Sequence, residues 1–208
     1  MENNITSLVN TRHYRSISGL DRAKVVNVAG VYDLPFGKGR PLGNSASGVT
    51  GFLISNWAVS GRLYIASGVP LSITDTNGRP IRLRDASRSG SVGDRVGDQV
   101  DPATKQILNP YFDVTAFQSL ATQYTISPEP PYFGELRAPG TTNIDLSLVK
   151  RFRIKERFNV DVRADASNFT NTPAFAAPGT DFSNKGTFGV ITSAGNGRNV
   201  QLAFRMVF

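Results

Sequence analysis

Residues 158–167 read FNVDVRADAS, and this stretch decides the fold. Phe158, Val160, Val162, Ala164 and Ala166 take the even positions; Asn159, Asp161, Arg163, Asp165 and Ser167 take the odd ones. Successive side chains of a strand point to opposite faces, so this alternation predicts a strand with one apolar and one wet face. Working outward, residues 199–208 (NVQLAFRMVF) repeat the pattern. Val200, Leu202, Phe204, Met206 and Phe208 share one face, and Asn199, Gln201, Ala203 and Arg205 the other. Upstream, Ile144, Leu146, Leu148, Phe152 and Ile154 oppose Asn143, Asp145, Ser147, Arg151 and Arg153, with Lys150 the one charge on the apolar side. Further back, Trp57, Val59, Leu63, Ile65, Val69 and Leu71 alternate with Ser60, Arg62, Tyr64 and Ser72. Val26, Val28, Tyr32 and Leu34 mark a weaker strand.

Five strands are therefore expected, near 23–34, 56–74, 142–154, 158–169 and 199–208, with residues 1–22 a preceding loop. Soluble strands average about five or six residues, whereas a tilted membrane strand needs roughly 9–11. Length and alternation together favour an all-β membrane meander over a soluble sandwich. The connections agree. Lys155, Glu156 and Arg157 form a tight charged hairpin, while 75–141 and 170–198 are long and rich in Gly, Pro, Asn, Asp, Ser and Arg. A structureless loop of that length is foreign to a compact soluble domain, but outer-membrane barrels pair short periplasmic turns with long external loops. With 155–157 periplasmic, 75–141 and 170–198 are external and 35–55 is periplasmic. Tyr32, Phe36, Trp57, Phe152, Phe158 and Phe208 then fall at periplasmic strand ends, as an interfacial aromatic girdle requires.

Composition narrows the chemistry. Twenty Gly and twelve Pro in 208 residues oppose long helices, and no run of 18 apolar residues offers a helical span. The absence of cysteine removes disulfides, Cys-ligated zinc and thiol nucleophiles. His13 is the only histidine, so a Ser-His-Asp triad or an outer-membrane lipase barrel has a single candidate base. No catalytic residue, metal or cofactor is expected, and the chain reads as a non-enzyme. The formal charge of +7 is scattered, with no Lys/Arg run of five, so nucleic acid is not an expected partner. The opening MENNITSLVNTRHYRS has no apolar core and is not a signal peptide. On that reading the protein stays inside the cell, or the chain is not the start of its protein.

Candidate sites follow from charge. Arg79, Arg82, Arg84 and Arg88 are candidate contacts for lipopolysaccharide phosphates or an anionic ligand. Asp94, Asp98 and Asp101 supply oxygens without the spacing of a calcium loop, and read as a solvated loop. Asp145, Arg151, Arg153, Asp161, Arg163, Asp165 and Arg205 sit on the polar faces of neighbouring strands, where cross-strand pairing is the expected role. Asn168 opens an Asn-Phe-Thr sequon of weak meaning, and FGKGR (36–40) lacks the strand–turn–helix setting of a phosphate loop.

Several segments resemble a known family. VYDLPFGKGR (31–40), NWAVSGRLYIASGVPLSIT (56–74), YFGELRAPGTTNIDLSLVKRFRIKERFNVDVRADASNFTNTPAF (132–175) and FGVITSAGNGRNVQLAFRMVF (188–208) resemble, in order, the C-terminal barrel of TonB-dependent outer-membrane receptors. The likeness is to the Oar-like group, which carries a carboxypeptidase-regulatory-like N-terminal domain. It implies an antiparallel meander forming the C-terminal part of a transmembrane outer-membrane β-barrel that works in energised uptake of a substrate. It also implies an assembly signal in Leu202, Phe204, Met206 and Phe208, read by the barrel-assembly machinery. The implied partners are outer-membrane lipid, a plug with the remaining barrel strands, and the TonB system acting through that plug. Neither a plug nor a TonB box is recognisable in this chain. The competing reading is a soluble secreted β-rich binding module, of adhesin or carbohydrate-binding type, which would bury the apolar faces against a second sheet.

Overall fold

The computed structural model describes residues 15–96, 103, 109–155 and 158–207. His13, Asp98, Asp101, Glu156, Arg157 and Phe208 lie outside the described residues, as does the centre of the expected 155–157 hairpin. In chain order the elements are β1 (Val25–Asp33), α1 (Gly48–Ile54), β2 (Trp57–Ala66), β3 (Pro70–Leu71), β4 (Ile81–Arg82), β5 (Phe117–Gln118), β6 (Phe133–Arg137), β7 (Thr141–Lys155), β8 (Phe158–Ser167) and β9 (Asn199–Val207). They are divided between two compact units.

The first unit (25–65, 142–173 and 196–208) is a five-stranded sheet in the order β1-β2-β7-β8-β9. β7 and β8 pair antiparallel from Leu146↔Ala166 to Lys155↔Phe158, with a register shift between Arg153 and Lys155. β8 and β9 pair antiparallel from Asn159↔Val207 to Ser167↔Asn199 without a shift. Period-2 patterns fix such registers, since a one-residue slip would turn every apolar side chain to the polar face. The Leu34 N–H donates to Trp57 O at 2.8 Å and the Arg151 N–H to Asn56 O at 3.1 Å. The end of β1, the start of β2 and the end of β7 thus share one end of the sheet. β8 stops where Asn168 takes φ +50° and Asn171 φ +53°, a left-handed conformation that Asn tolerates. The Asn168 side chain bonds Thr172 in both directions at 3.0 Å, and Asn171 Oδ1 accepts the Arg198 N–H at 2.9 Å, which sets the approach to β9.

The second unit (1–24, 66–141 and 174–195) corrects one expectation. The strand expected to run to residue 74 ends at Ala66. A Cβ on Gly68 would lie 1.7 Å from Ala138 O; the bare glycine lets the two segments touch there, and Pro70 and Leu71 then pair with β6. Alternation continues through Val69 and Leu71, but the strand has changed partner. The two long connections, expected as external loops, fold together. Thr74 and Phe182 share a backbone bond of 2.7 Å, and Tyr111 N–H donates to Gly189 O at 2.8 Å. Their core holds Phe112, Phe117, Phe133, Phe182 and Phe188 with Leu71, Ile73 and Leu136. Phe117 stands centrally, with ring centroids 5.6–6.5 Å from the other four phenylalanines, largely edge-on, the arrangement aromatic quadrupoles prefer.

Candidate functional site

The five-stranded sheet presents two unlike faces. In-register rows Leu146–Ala166–Val200, Leu148–Ala164–Leu202, Lys150–Val162–Phe204 and Phe152–Val160–Met206 cross β7, β8 and β9 on one side. Among the described residues no second layer covers the β9 end of these rows, where Val200, Leu202, Phe204 and Met206 keep 52–77% of their surface exposed. A protein surrounded by water does not leave so long an apolar band bare. The competing sandwich reading would have these side chains buried, and among the described residues they are exposed.

Lys150 interrupts that band, and a short helix covers it. α1 and its flanks lie over the start of β2 and the end of β7, so that Lys150 is 2% exposed. Its ammonium donates to Phe52 O at 2.8 Å and to Ser55 O. These carbonyls lie at the C-terminal end of α1, where backbone acceptors have no partner within the helix. The same ammonium lies 5.4 Å from the Trp57 ring and 5.0 Å from the Phe152 ring, within cation–π range. Phe52 stacks on Phe152 at 4.9 Å. Two of the expected girdle residues, Trp57 and Phe152, thus meet around one cation. Tyr32 lies exposed near the end of β1; Phe158 begins β8. Sequence reading missed both α1 and the role of Lys150. The signal was present in the apolar run Phe52-Leu53-Ile54 inside an otherwise polar connection and in the lone cation on an apolar face.

The other face is polar. Arg151, Asp161 and Arg205 are register partners in one row, and Ser147, Asp165 and Gln201 in another. Arg163 Nε donates to Asp165 at 2.7 Å and to Ser147 Oγ at 3.1 Å. Arg62 donates to Asn27 at 3.3 Å and lies over the Tyr64 ring. Asp145 accepts from Asn143 Nδ2 at 2.9 Å and from the Asn168 N–H at 3.0 Å, which gives the sequon asparagine a local structural role. Ser60, Arg62, Asp145, Ser147, Arg163 and Asp165 line a hollow of about 640 Å³. Such a face offers hydrogen bonds and compensated charge to whatever fills the space before it.

FGKGR is a turn. Gly37 has φ +104°, and its Cα side is so close to Ser55 that a Cβ would meet Oγ at 2.0 Å; its N–H donates to Leu42 O at 2.8 Å. Glycine is required there by geometry, without reference to phosphate.

The outer membrane beta barrel domain model matches residues 2–201. The chain belongs to that family. No curated protein and no solved structure matches it. This barrel-family protein resides in the bacterial outer membrane, and its apolar band has lipid as its solvent.

In the barrel protein the four candidate arginines all lie in the second unit, each with partners of its own. Arg79 donates to Glu129 O at 3.1 Å. Arg82 pairs with Glu135 and lies 4.9 Å over the Phe133 ring. Arg84 pairs with Asp113 at 2.8 Å, and Arg88 donates to Asn109 and to Pro110 O. Burial presses the Asp113 carboxyl upward, but bonds from Thr115 and Arg84 outweigh it and hold the group below the usual carboxylate range. Asp85 is held low by the Ser87 N–H and hydroxyl. Arg95, which sequence reading passed over, is buried and donates to the carbonyls of Arg88, Ser89 and Tyr111, so it ties the 88–95 turn to the core segment. Asp94 O accepts from Asn109 Nδ2 at 2.5 Å.

Proposed function

We propose that this chain is the C-terminal barrel segment of a TonB-dependent receptor of the Oar-like group, serving energised uptake of a substrate across the outer membrane. The observation that carries the reading is the open sheet, with β1 and β9 at its edges and charged residues all along one face. Open edges are not viable in hydrocarbon, so further strands of a larger barrel pair with β1 and β9. The ordered resemblance of four segments supplies the family of that barrel. In a receptor of about 22 strands the polar face lines the lumen and meets a plug, through which the TonB system acts. The protein has no catalytic step and no cofactor in this reading.

Sequence upstream of Met1 in the source DNA tests it: a plug domain preceded by a carboxypeptidase-regulatory-like domain is expected, and an upstream frame encoding neither overturns the receptor reading. The assembly role is tested separately. Deleting Phe208 from the receptor should lower the amount folded in the outer membrane, whereas Phe152→Ala should cost only local stability. If both assemble equally well, Phe208 is one more girdle aromatic.

A further inference from the structure

We propose that α1 is a membrane-seated helix: it lies on the lipid side of the sheet, with acyl chains against Val49, Leu53 and the apolar groove beside them, and with side-chain donors standing in for water at its C-terminal end. The inference rests on the outer-membrane placement of the sheet, and it stands whether or not the uptake reading holds.

The place of the helix comes first. Successive strand residues point to opposite faces, so Leu148, Lys150 and Phe152 share the apolar face of β7. α1 accepts the Lys150 ammonium on that face, and Phe52 stacks on Phe152 at 4.9 Å. The helix therefore stands on the side of the sheet that meets lipid.

The bonding of its end points the same way. A helix leaves its last carbonyls without partners, and on a wet surface water supplies them. At the end of α1 side chains do so. Ser55 Oγ donates to Gly51 O at 2.6 Å, Lys150 Nζ to Phe52 O at 2.8 Å and to Ser55 O, and Trp57 Nε1 to Leu53 O at 2.9 Å. A solvated turn has no need of a buried ammonium and an indole for this purpose. In hydrocarbon a backbone acceptor has to find its partner within the protein, because an open one is costly there.

The surface of the helix names the occupant. Val49 and Leu53, four residues apart and so neighbours on one helix face, are 75% and 55% exposed. Beside them Leu34, Phe36, Leu42, Leu53, Trp57 and Leu148 bound an almost purely apolar hollow of about 480 Å³. Leu148 also belongs to the row Leu148–Ala164–Leu202 of the apolar band, so the hollow continues the surface that lipid covers. Acyl chains are the occupant this continuity provides. The turn before the helix carries Lys38, Arg40, Asn44 and Ser45, polar residues that suit the head-group level.

The chain has no cysteine, so a nitroxide on a single introduced cysteine reports its own surroundings. The intact protein, labelled at Val49→Cys or Leu53→Cys, is placed in phosphatidylcholine vesicles, and collisions of the label with oxygen and with a neutral nickel chelate are compared. Oxygen concentrates in hydrocarbon and the chelate in water. The oxygen-to-nickel ratio at 49 and 53 should approach that of Leu202→Cys in the apolar band. It should exceed that of Leu83→Cys, exposed in the loop unit, by about tenfold, since a polar complex is excluded from hydrocarbon. Lys150→Met removes the donor of Phe52 O and Ser55 O and should bring the ratio at 53 down toward the Leu83 value, and Lys150→Arg should restore it. Heat-modifiable migration checks that each variant keeps its sheet; should Lys150→Met lose it, the ratios at 49 and 53 in the otherwise unaltered chain decide alone. Water-like ratios at both positions, low collision rates with both reagents (the sign of a protein partner or a second copy over α1), or a lipid-like ratio at 53 that survives Lys150→Met in a folded sheet would each overturn the proposal.

Discussion

The sheet unit and the loop unit contain the same kinds of apolar side chain and dispose of them in opposite ways. In the loop unit, Phe112, Phe133 and Phe188 are at most 2% exposed; Phe112 meets Phe188, and Phe133 meets Phe117, edge to face. In the sheet, Leu202 and Phe204 stand in line with their neighbours and are covered by nothing in the described chain. The physical difference is the solvent. Apolar surface must leave water, and a chain does this by turning inward or by meeting lipid. Clustering identifies the first solution and alternation the second. The lesson is that one polypeptide can carry both, with each local pattern recording the medium around it.

The largest expected effect separates the two solutions. Phe117→Ala removes the ring that touches four others and should cost about 3–5 kcal/mol. Amide exchange should rise across 70–74 and 180–190, while the heat-modifiable migration of the folded sheet persists. Loss of membrane insertion with intact loop protection would break the distinction. Next comes the sheet itself. Val162→Arg or Leu202→Arg should oppose insertion by roughly 2–4 kcal/mol near the midplane. The same change at Asn159 or Gln201 should stay within about 0.5 kcal/mol. Equal tolerance on both faces in a vesicle-folding assay would remove the lipid-facing assignment.

A smaller effect probes the place where the two patterns mix. Lys150→Met leaves Phe52 O and Ser55 O without their donor, at a cost of about 1–3 kcal/mol. Trp57 is the sole tryptophan and lies against Lys150, so its emission should shift with this variant and recover in Lys150→Arg. An unchanged spectrum would detach α1 from the sheet. The smallest effect concerns pH. Asp113 and Asp181 are held below the ordinary aspartate value, Asp113 by Thr115 and Arg84 against its burial, Asp181 by Ser183. Their stabilising share is present above about pH 4, the unfolded value, and is lost as pH falls through the lower folded values. Acid should therefore loosen the loop unit, and Asp113→Asn should flatten that dependence in an exchange-versus-pH series.

The sheet was legible because strand periodicity reports a boundary between two media. Residues 158–167 alternate without a fault and 199–206 nearly so, and their pairing runs without a shift. The same signal overran at residues 67–74, because alternation is blind to a change of partner: Leu71 is as apolar in β3, paired with Phe133, as it would be in a longer β2. The loop core left another mark. Six of the thirteen phenylalanines fall within 75–141 and 170–198, and solvated loops have no use for them. Composition that looked open because of Gly, Pro and Ser concealed widely spaced core residues that only tertiary structure brings together. The arginines of 79–88 stood out as a basic cluster because their partners, Glu129, Glu135 and Asp113, lie 29–53 residues further along the chain.

That shared core has a consequence for how the protein changes over time. Phe112 and Phe188 come from connections separated by the whole β7–β8 hairpin. Neither connection can finish folding until the other has been synthesised, so the local hairpin should form first and the loop unit last, as long-range contacts must await closure of the intervening chain. It follows that the two connections are a single inheritable piece. Grafting one of them onto a related barrel would strand half a core, whereas transplanting both together would carry a complete one.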